Sequence, residues 1–117
     1  MELRSSILDI PANLIVLHID GNITSDHLAP LEQELSRLAH SGKPVKLILD
    51  LNNVHGIDST GVGALIKGRN EIVAAGGQVA IIGGETRVLT VLKISGLESY
   101  FLIAPTEYKA IKLLDQE

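Results

Sequence analysis

Hydrophobic positions along the chain follow two spacings that alternate from the first residues to the last. Compact apolar runs of strand length are followed by stretches in which apolar residues recur every three to four positions. This alternation predicts an α/β fold with a mixed, mostly parallel sheet and about four helices. The predicted strands are Leu3 to Ile10, Leu14 to Ile19, Pro44 to Leu51, Gln78 to Ile82 and a brief strand within Leu97 to Ile103.

The first two predicted strands are joined by only Pro11-Ala12-Asn13. A link of this length allows antiparallel pairing and is too short for a parallel crossover. Leu14 to Ile19 is the more apolar strand, so we expect it inside the sheet and the first strand at an antiparallel edge. Asp20-Gly21-Asn22 is predicted to end the second strand.

The first helix is predicted from an apolar stripe at helical spacing. Thr24, Ser25 and Asp26 precede it, and their side-chain oxygens are of the kind that cap helices. Pro30 cannot donate a helical hydrogen bond, so the first regular turn is expected to begin after Ser25. The stripe consists of Leu28, Leu31, Leu35 and Leu38. The remaining helices are predicted after Asp58, over Thr86 to Ile94 and over Pro105 to Leu114.

The stretch from Val54 to Gly68, VHGIDSTGVGALIKG, is the part of the sequence that most indicates a function. We expect a tight turn between the strand Pro44 to Leu51 and the following helix, ending in Asp58-Ser59-Thr60-Gly61. Ser59 is then placed at a helix N-terminus and at the carboxyl end of a strand, where open α/β sheets carry their functional groups.

A phosphate on Ser59 would have a clear physical effect at such a position. It would bring nearly two negative charges to free backbone amides at the positive end of the helix dipole, so the fold could tolerate it. Asp58 next to it would oppose the new charge. The predicted result is a modification that preserves the fold and changes the surface seen by a partner.

The Asp58-Ser59-Thr60-Gly61 sequence between a strand and an apolar helix resembles the STAS domain, and specifically the stand-alone anti-sigma factor antagonists of bacteria. The order of the elements resembles that family over nearly the whole chain, and Ile94-Ser95-Gly96-Leu97 resembles its serine-glycine-leucine turn. The resemblance implies a single STAS domain over residues 1–117 that is not an enzyme.

In that family the hydroxyl residue after the aspartate is phosphorylated by the partner anti-sigma kinase, which implies Ser59 here, with Thr60 as second choice. The resemblance also implies that the unphosphorylated form binds this kinase and frees the sigma factor, and that a serine phosphatase restores it. Family antagonists often carry an acidic residue three positions after the glycine corresponding to Gly21, where this chain has Thr24. The implied partner-binding residues are Asp58, Ser59, Thr60, Gly61, Thr24 and Asp26.

Three other interpretations of Ser59 remain open at this stage. Ser59 can be a helix cap without further chemistry, since capping by serine is common. The chain can be a STAS scaffold or an accessory subunit of a transporter or signalling complex in which Ser59 is never modified. Ser59 can also be a nucleophile with His55 as its base, although the hydrolase elbow requires glycine where Ile57 stands.

Composition excludes several further classes of function. The 117 residues are 45% hydrophobic and 21% charged, which suits one globular domain, while 3% aromatic content and a net charge of −4 disfavour nucleic-acid binding. The absence of cysteine excludes disulfides and thiol-based zinc sites.

No cofactor or metal is predicted from the motifs. The glycines match no nucleotide-binding fingerprint, and the four histidines show no metal-binding spacing: His18, His27, His40 and His55. A charged N-terminus and the lack of long apolar runs predict a cytoplasmic protein without membrane insertion.

Overall fold

The computed structural model describes residues 1–8 and 14–115. Within them the strands are β1 (Glu2–Leu8), β2 (Leu14–Ile23), β3 (Lys46–Ile57), β4 (Gln78–Ile82) and β5 (Leu102–Ala104). The helices are α1 (Ala29–Ala39), α2 (Ser59–Ala74), α3 (Thr86–Ile94) and α4 (Glu107–Asp115), with short 3-10 turns at Ser25–His27 and Leu97–Ser99.

The strands form one sheet in the order β1-β2-β3-β4-β5. β1 pairs antiparallel with β2, whereas the β2–β3, β3–β4 and β4–β5 pairs are parallel. This confirms the predicted mixed sheet with an antiparallel N-terminal edge strand. The predicted end of the first strand at Ile10 and the link Pro11-Ala12-Asn13 lie outside the described residues.

Apolar side chains on the two faces of the sheet form two cores. The larger core contains Leu17 and Ile19 of β2 together with residues of α1, α2 and α3, and the predicted leucine stripe of α1 is buried in it. The smaller core contains Leu14 and Val16 of β2 with Ala110 and Leu114 of α4. Because successive strand residues point to opposite faces, β2 supplies both cores.

β2 and β3 are longer than the sequence predicted. β2 does not end at Asp20-Gly21-Asn22 but continues to Ile23, with irregular pairing on either side of Asp20 and a φ of 113° at Gly21. β3 continues to Ile57, so the tight turn expected before Asp58 is absent from this segment. The two extensions pair with each other and bury Ile23 and Val54 fully, and this tertiary pairing outweighs the local preference of glycine and asparagine for turns.

The start of α1 fits the prediction in position but not in mechanism. The α-helix begins at Ala29 with Pro30 in its first turn, after the 3-10 turn Ser25–His27, so the late start is confirmed. The expected side-chain cap is wrong, because neither Thr24 before the 3-10 turn nor Leu28 before the α-helix makes a side-chain capping hydrogen bond.

Candidate functional site

Asp58 is the residue through which β3 passes directly into α2. It has an extended backbone and caps the helix: its Oδ1 accepts a hydrogen bond from the Gly61 N–H at 2.8 Å. Its Oδ2 accepts another from the Ser25 N–H at 3.1 Å. The Asp58 N–H in turn donates to the Ile23 carbonyl at 3.3 Å. One residue therefore joins the start of α2, the end of β2 and the turn that precedes α1.

The same hydrogen bonds fix the charge of Asp58. The Gly61 N–H and then the Ser25 N–H hold the pKa of this carboxyl below its ordinary value of 3.8, because both stabilise the carboxylate. Asp58 is thus an anion at neutral pH, directly beside Ser59.

Ser59 and Thr60 are the first two residues of α2, and both are exposed. Neither side-chain hydroxyl makes a hydrogen bond to another group in the described part of the protein. Ser59 therefore presents a free hydroxyl to solvent at the N-terminus of a helix of 16 residues. A nucleophilic hydroxyl in this position can be reached by another protein's active site.

Gly61 is buried, and at this residue the backbone of α2 comes close to the backbone of β2 at Ile23. A Cβ atom at this position would overlap the carbonyl oxygen of Ile23 and also meet the Ile23 side chain. Gly63, two residues further along the helix, is exposed, and a Cβ atom there would lie in open space. At Gly61 the missing side chain therefore makes room for Ile23 of the same chain.

Thr24 and Asp26 lie beside Asp58 because Ser25, which stands between them, donates its N–H to that carboxylate. Thr24 is half-buried and Asp26 is exposed. The structure thus brings all the predicted partner-binding residues to one place, at the carboxyl ends of β2 and β3. We call this the Ser59 surface: Thr24, Ser25, Asp26, Asp58, Ser59, Thr60 and Gly61.

A second polar group at the carboxyl ends of the strands was not found by sequence reasoning. His55 falls in the tight turn predicted between Leu51 and the following helix, but it lies on β3, and its Nδ1 is 2.6 Å from Glu85 Oε1. The Arg87 Nε–H donates to Glu85 Oε2 at 3.1 Å. Hydrogen bonds from His55 and then Arg87 lower the pKa of Glu85. His55 and Glu85 are 30 residues apart, so no local pattern could pair them.

His18, the strand histidine on β2, belongs to a separate network. Its Nδ1 lies 2.7 Å from Asp50 Oδ2 and its Nε2 lies 3.3 Å from Ser6 Oγ. Burial acts to raise the pKa of Asp50, but hydrogen bonds from Asn52 and His18 outweigh it and the pKa is lowered.

In the part of the chain that the structure describes, no group of three or more His, Asp or Glu side chains is arranged to hold a metal ion. None of the helices in residues 1–8 and 14–115 has the length and apolar character needed to cross a membrane.

Residues 6–110 match the sequence model of the STAS domain. The chain has no significant match among curated protein sequences.

Solved structures with the same fold are numerous. TM1081 of Thermotoga maritima, described as a candidate anti-sigma factor antagonist, superposes with a TM-score of 0.85 at 19% identity, covering 97% of this chain and 94% of that one. The anti-sigma factor antagonist SpoIIAA of Bacillus gives TM-scores of 0.78 unphosphorylated and 0.70 phosphorylated, both at 20% identity. These matches cover 99% and 95% of this chain, and 98% and 97% of the SpoIIAA chains.

The murine anion transporter Slc26a9 contains a similar unit. It superposes with a TM-score of 0.77 at 17% identity, over 90% of this chain and 18% of the transporter. At these identities the similarity shows a common fold, which occurs both in separate antagonists and as part of a transporter.

Proposed function

The chain belongs to the STAS-domain family, and we propose that it acts as an anti-sigma factor antagonist controlled by phosphorylation of Ser59. In the proposed cycle the unphosphorylated protein binds an anti-sigma factor that is also a serine kinase, which releases the sigma factor. Phosphorylation of Ser59 ends this binding, and a serine phosphatase restores it. The protein itself performs no catalytic step in this cycle and works in the cytoplasm as a single STAS domain.

The observation that carries the proposal is the exposed Ser59 hydroxyl at the start of α2, next to a fixed Asp58 carboxylate. Both Asp58 oxygens accept backbone hydrogen bonds, so the residue before Ser59 is held from two sides. Because the backbone that carries it is rigid, the Ser59 hydroxyl is already positioned to accept a phosphoryl group. This reduces the entropy lost on reaching the transition state.

The proposed modification is an ordinary phosphoryl transfer. Ser59 Oγ attacks the γ-phosphorus of ATP bound to the kinase, the new O–P bond forms, the bond to the ADP oxygen breaks, and the hydroxyl proton passes to a base of the kinase. The product dianion lies at the positive end of the α2 dipole, so the fold of the domain is retained.

Loss of binding follows from the charge that the phosphate adds to this surface. Asp58 is already anionic there, and a partner that covers the Ser59 surface would have to desolvate both groups. An uncompensated buried charge costs several kcal/mol in general, whereas about 1.4 kcal/mol already changes affinity tenfold. Phosphorylation can therefore separate the complex without unfolding either protein.

The test is intact-mass spectrometry of the protein incubated with ATP and its anti-sigma serine kinase. We expect one phosphate on the wild type and on Thr60→Ala, the matched control, and none on Ser59→Ala. Calorimetric titration should show that the kinase binds the wild type and Ser59→Ala but not Ser59→Asp. An active kinase that leaves the wild type unmodified, or that binds Ser59→Asp as tightly as the wild type, would contradict the proposal.

A second function is favoured by the similarity to part of the Slc26a9 transporter. In this case the chain is a scaffold or accessory subunit, and Ser59 is only the first residue of α2 and is never modified. The same titration distinguishes the two, since a scaffold would bind its partner equally well as Ser59→Ala and as Ser59→Asp.

The structure gives little support to catalysis by Ser59 and His55. His55 is paired with Glu85, and no hydrogen bond joins it to Ser59 within the described residues. We therefore expect His55→Ala to be phosphorylated at the wild-type rate. Covalent labelling of Ser59 by a fluorophosphonate, lost in His55→Ala, would instead indicate an enzyme.

A further inference from the structure

β1 forms one edge of the sheet and has an unusually open outer side. All seven of its residues pair with β2 in regular register, from Glu2 opposite Asp20 to Leu8 opposite Leu14. No strand within the described residues pairs with the other side of β1, because β1 is the first strand in the sheet order. The strand contains no proline and no bulge, and its charged residues Glu2 and Arg4 alternate with Leu3 and so lie on the opposite face of the sheet.

β1 has two apolar side chains, Leu3 and Ile7, on the face of the sheet that is covered by α1. Leu3 and Ile7 lie opposite Ile19 and Ile15, and Leu3 packs against the larger core. Ile7, however, is 74% exposed. An exposed aliphatic side chain on an unpaired strand edge favours pairing of that edge with another chain.

A groove lies next to this edge, between β1 and α1. It has a volume of about 410 Å³ and is lined by Leu3, Ser5 and Leu17 of the sheet and by Pro30 and Gln33 of α1. The ion pair between Arg37 and Glu34, 2.6 Å apart, forms its polar wall. The groove can therefore receive one aliphatic side chain while its outer wall stays hydrated.

The sequence of β1 is complementary to itself in one antiparallel register. Ser5 is the central residue of the strand, so a two-fold axis through Ser5 pairs two copies over the full strand length. Leu3 of each copy then lies opposite the partner's Ile7, on the face with the groove. On the other face Arg4 lies opposite the partner's Ser6. The axis through Arg4 would instead place two arginines opposite each other, which is unfavourable.

We propose that β1 is the interface of a symmetric homodimer, in which the two sheets join edge to edge and the partner's Ile7 enters the groove beside Leu3. The two contacts are identical by symmetry, as in other two-fold interfaces. A single strand pair is smaller than a standard interface of about 1,600 Å², so the dimer is reversible and depends on concentration. This goes beyond the proposed antagonist function.

The register is tested by cross-linking, which is simple in a protein without cysteine. Directly opposed residues in an antiparallel pair have Cα atoms about 4.5–5.5 Å apart, within the range that a disulfide bridges. Oxidation of Ser5→Cys with copper phenanthroline should therefore give a disulfide-linked dimer rapidly. Ser99→Cys, an exposed serine remote from β1 in sequence, is the matched control and should cross-link slowly.

The contact itself is tested by sedimentation equilibrium over a range of concentrations. The wild type should show a monomer–dimer equilibrium, and Ile7→Lys should weaken it by at least about tenfold without changing the urea midpoint, because Ile7 is exposed in the monomer. Ile94→Lys replaces an 82% exposed isoleucine on α3 and should leave the equilibrium unchanged. A wild type that stays monomeric throughout, or a Ser5→Cys protein that cross-links no faster than Ser99→Cys, would overturn the proposal.

Discussion

The helices α1 and α2 both begin at the carboxyl ends of the parallel strands, α1 after β2 and α2 after β3, but their first turns are stabilised differently. β3 runs straight into α2, and the Asp58 side chain caps that helix through the Gly61 N–H. α1 is preceded by a 3-10 turn and has no side-chain cap of its own. The turn before α1 is instead held by Asp58 through the Ser25 N–H.

This difference explains how the Ser59 surface is organised. The fixed part is the start of α2, and the Thr24–Asp26 segment is positioned from it across 33 residues of sequence. A chemical change at Asp58 therefore acts on both helix starts, whereas a change at Thr24 acts only locally. The predictions below separate these two cases.

The largest effect is expected at Gly61, where α2 approaches the end of β2 most closely. Gly61→Val places carbon atoms into the space of the Ile23 carbonyl oxygen, which is backbone and cannot turn away. Overpacking of this kind typically costs 1–3 kcal/mol and here we expect about 3 kcal/mol or more of the free energy of unfolding. Urea unfolding followed by circular dichroism measures it.

Gly63→Ala is the control for this substitution. Its Cβ would meet open space in the second turn of the same helix, so the change should be neutral or stabilise the protein by up to about 1 kcal/mol. Equal losses at Gly61 and Gly63 would show that the approach to Ile23 is not what requires glycine.

A smaller loss of the free energy of unfolding is expected for Asp58→Ala, which removes the acceptor for two backbone N–H groups. Hydrogen exchange of the Ser25 and Gly61 amides should accelerate together, because one carboxylate holds both. Asp26→Ala, an exposed neighbour, is the control and should leave both exchange rates unchanged. If only the Gly61 amide responds to Asp58→Ala, the proposed link between the two helix starts is wrong.

The charge of Asp58 also predicts a dependence of stability on pH. Its pKa is lower in the folded protein than in the unfolded chain, so the folded state gains stability above the ordinary value of 3.8. That contribution is lost as the pH falls below this value and through the folded-state pKa. Asp50, Glu34 and Glu85 have lowered pKa values as well and contribute in the same direction.

The contribution of Asp58 is isolated by comparing the wild type with Asp58→Asn. The difference between their unfolding free energies should be largest near neutral pH and should shrink as the pH falls below about 4. A difference that stays constant with pH would mean that hydrogen bonding alone, and not the charge, distinguishes the two proteins.

Most of the fold could be predicted because the local pattern and the tertiary structure agree. β4 and α3 have the predicted bounds, Gln78–Ile82 and Thr86–Ile94, since each apolar run is closed by glycine or by a Ser-Gly pair. The placement of Ser59 at a helix start was also predicted, because Asp58 is a strong cap and the following apolar residues have helical spacing.

The missed features all depend on contacts between distant residues. The extensions of β2 and β3 stabilise each other, although Gly21 and Asn22 alone indicate a turn. The hydrogen bond from Ser25 to Asp58 and the pairing of His55 with Glu85 join segments that the sequence does not mark as neighbours. Local cap chemistry therefore assigned Thr24, Ser25 and Asp26 a role that Asp58 performs.

The smallest effect is expected for Thr24→Ala, which tests that reassignment directly. A threonine cap lost to alanine usually costs about 1 kcal/mol, but Thr24 makes no capping hydrogen bond here. We therefore expect a change within about 0.5 kcal/mol in the free energy of unfolding measured in urea. A loss near 1 kcal/mol would mean that the Thr24 hydroxyl caps the turn before α1 in solution. In that case the two helix starts would be held independently, and Asp58 would not be the residue that joins them.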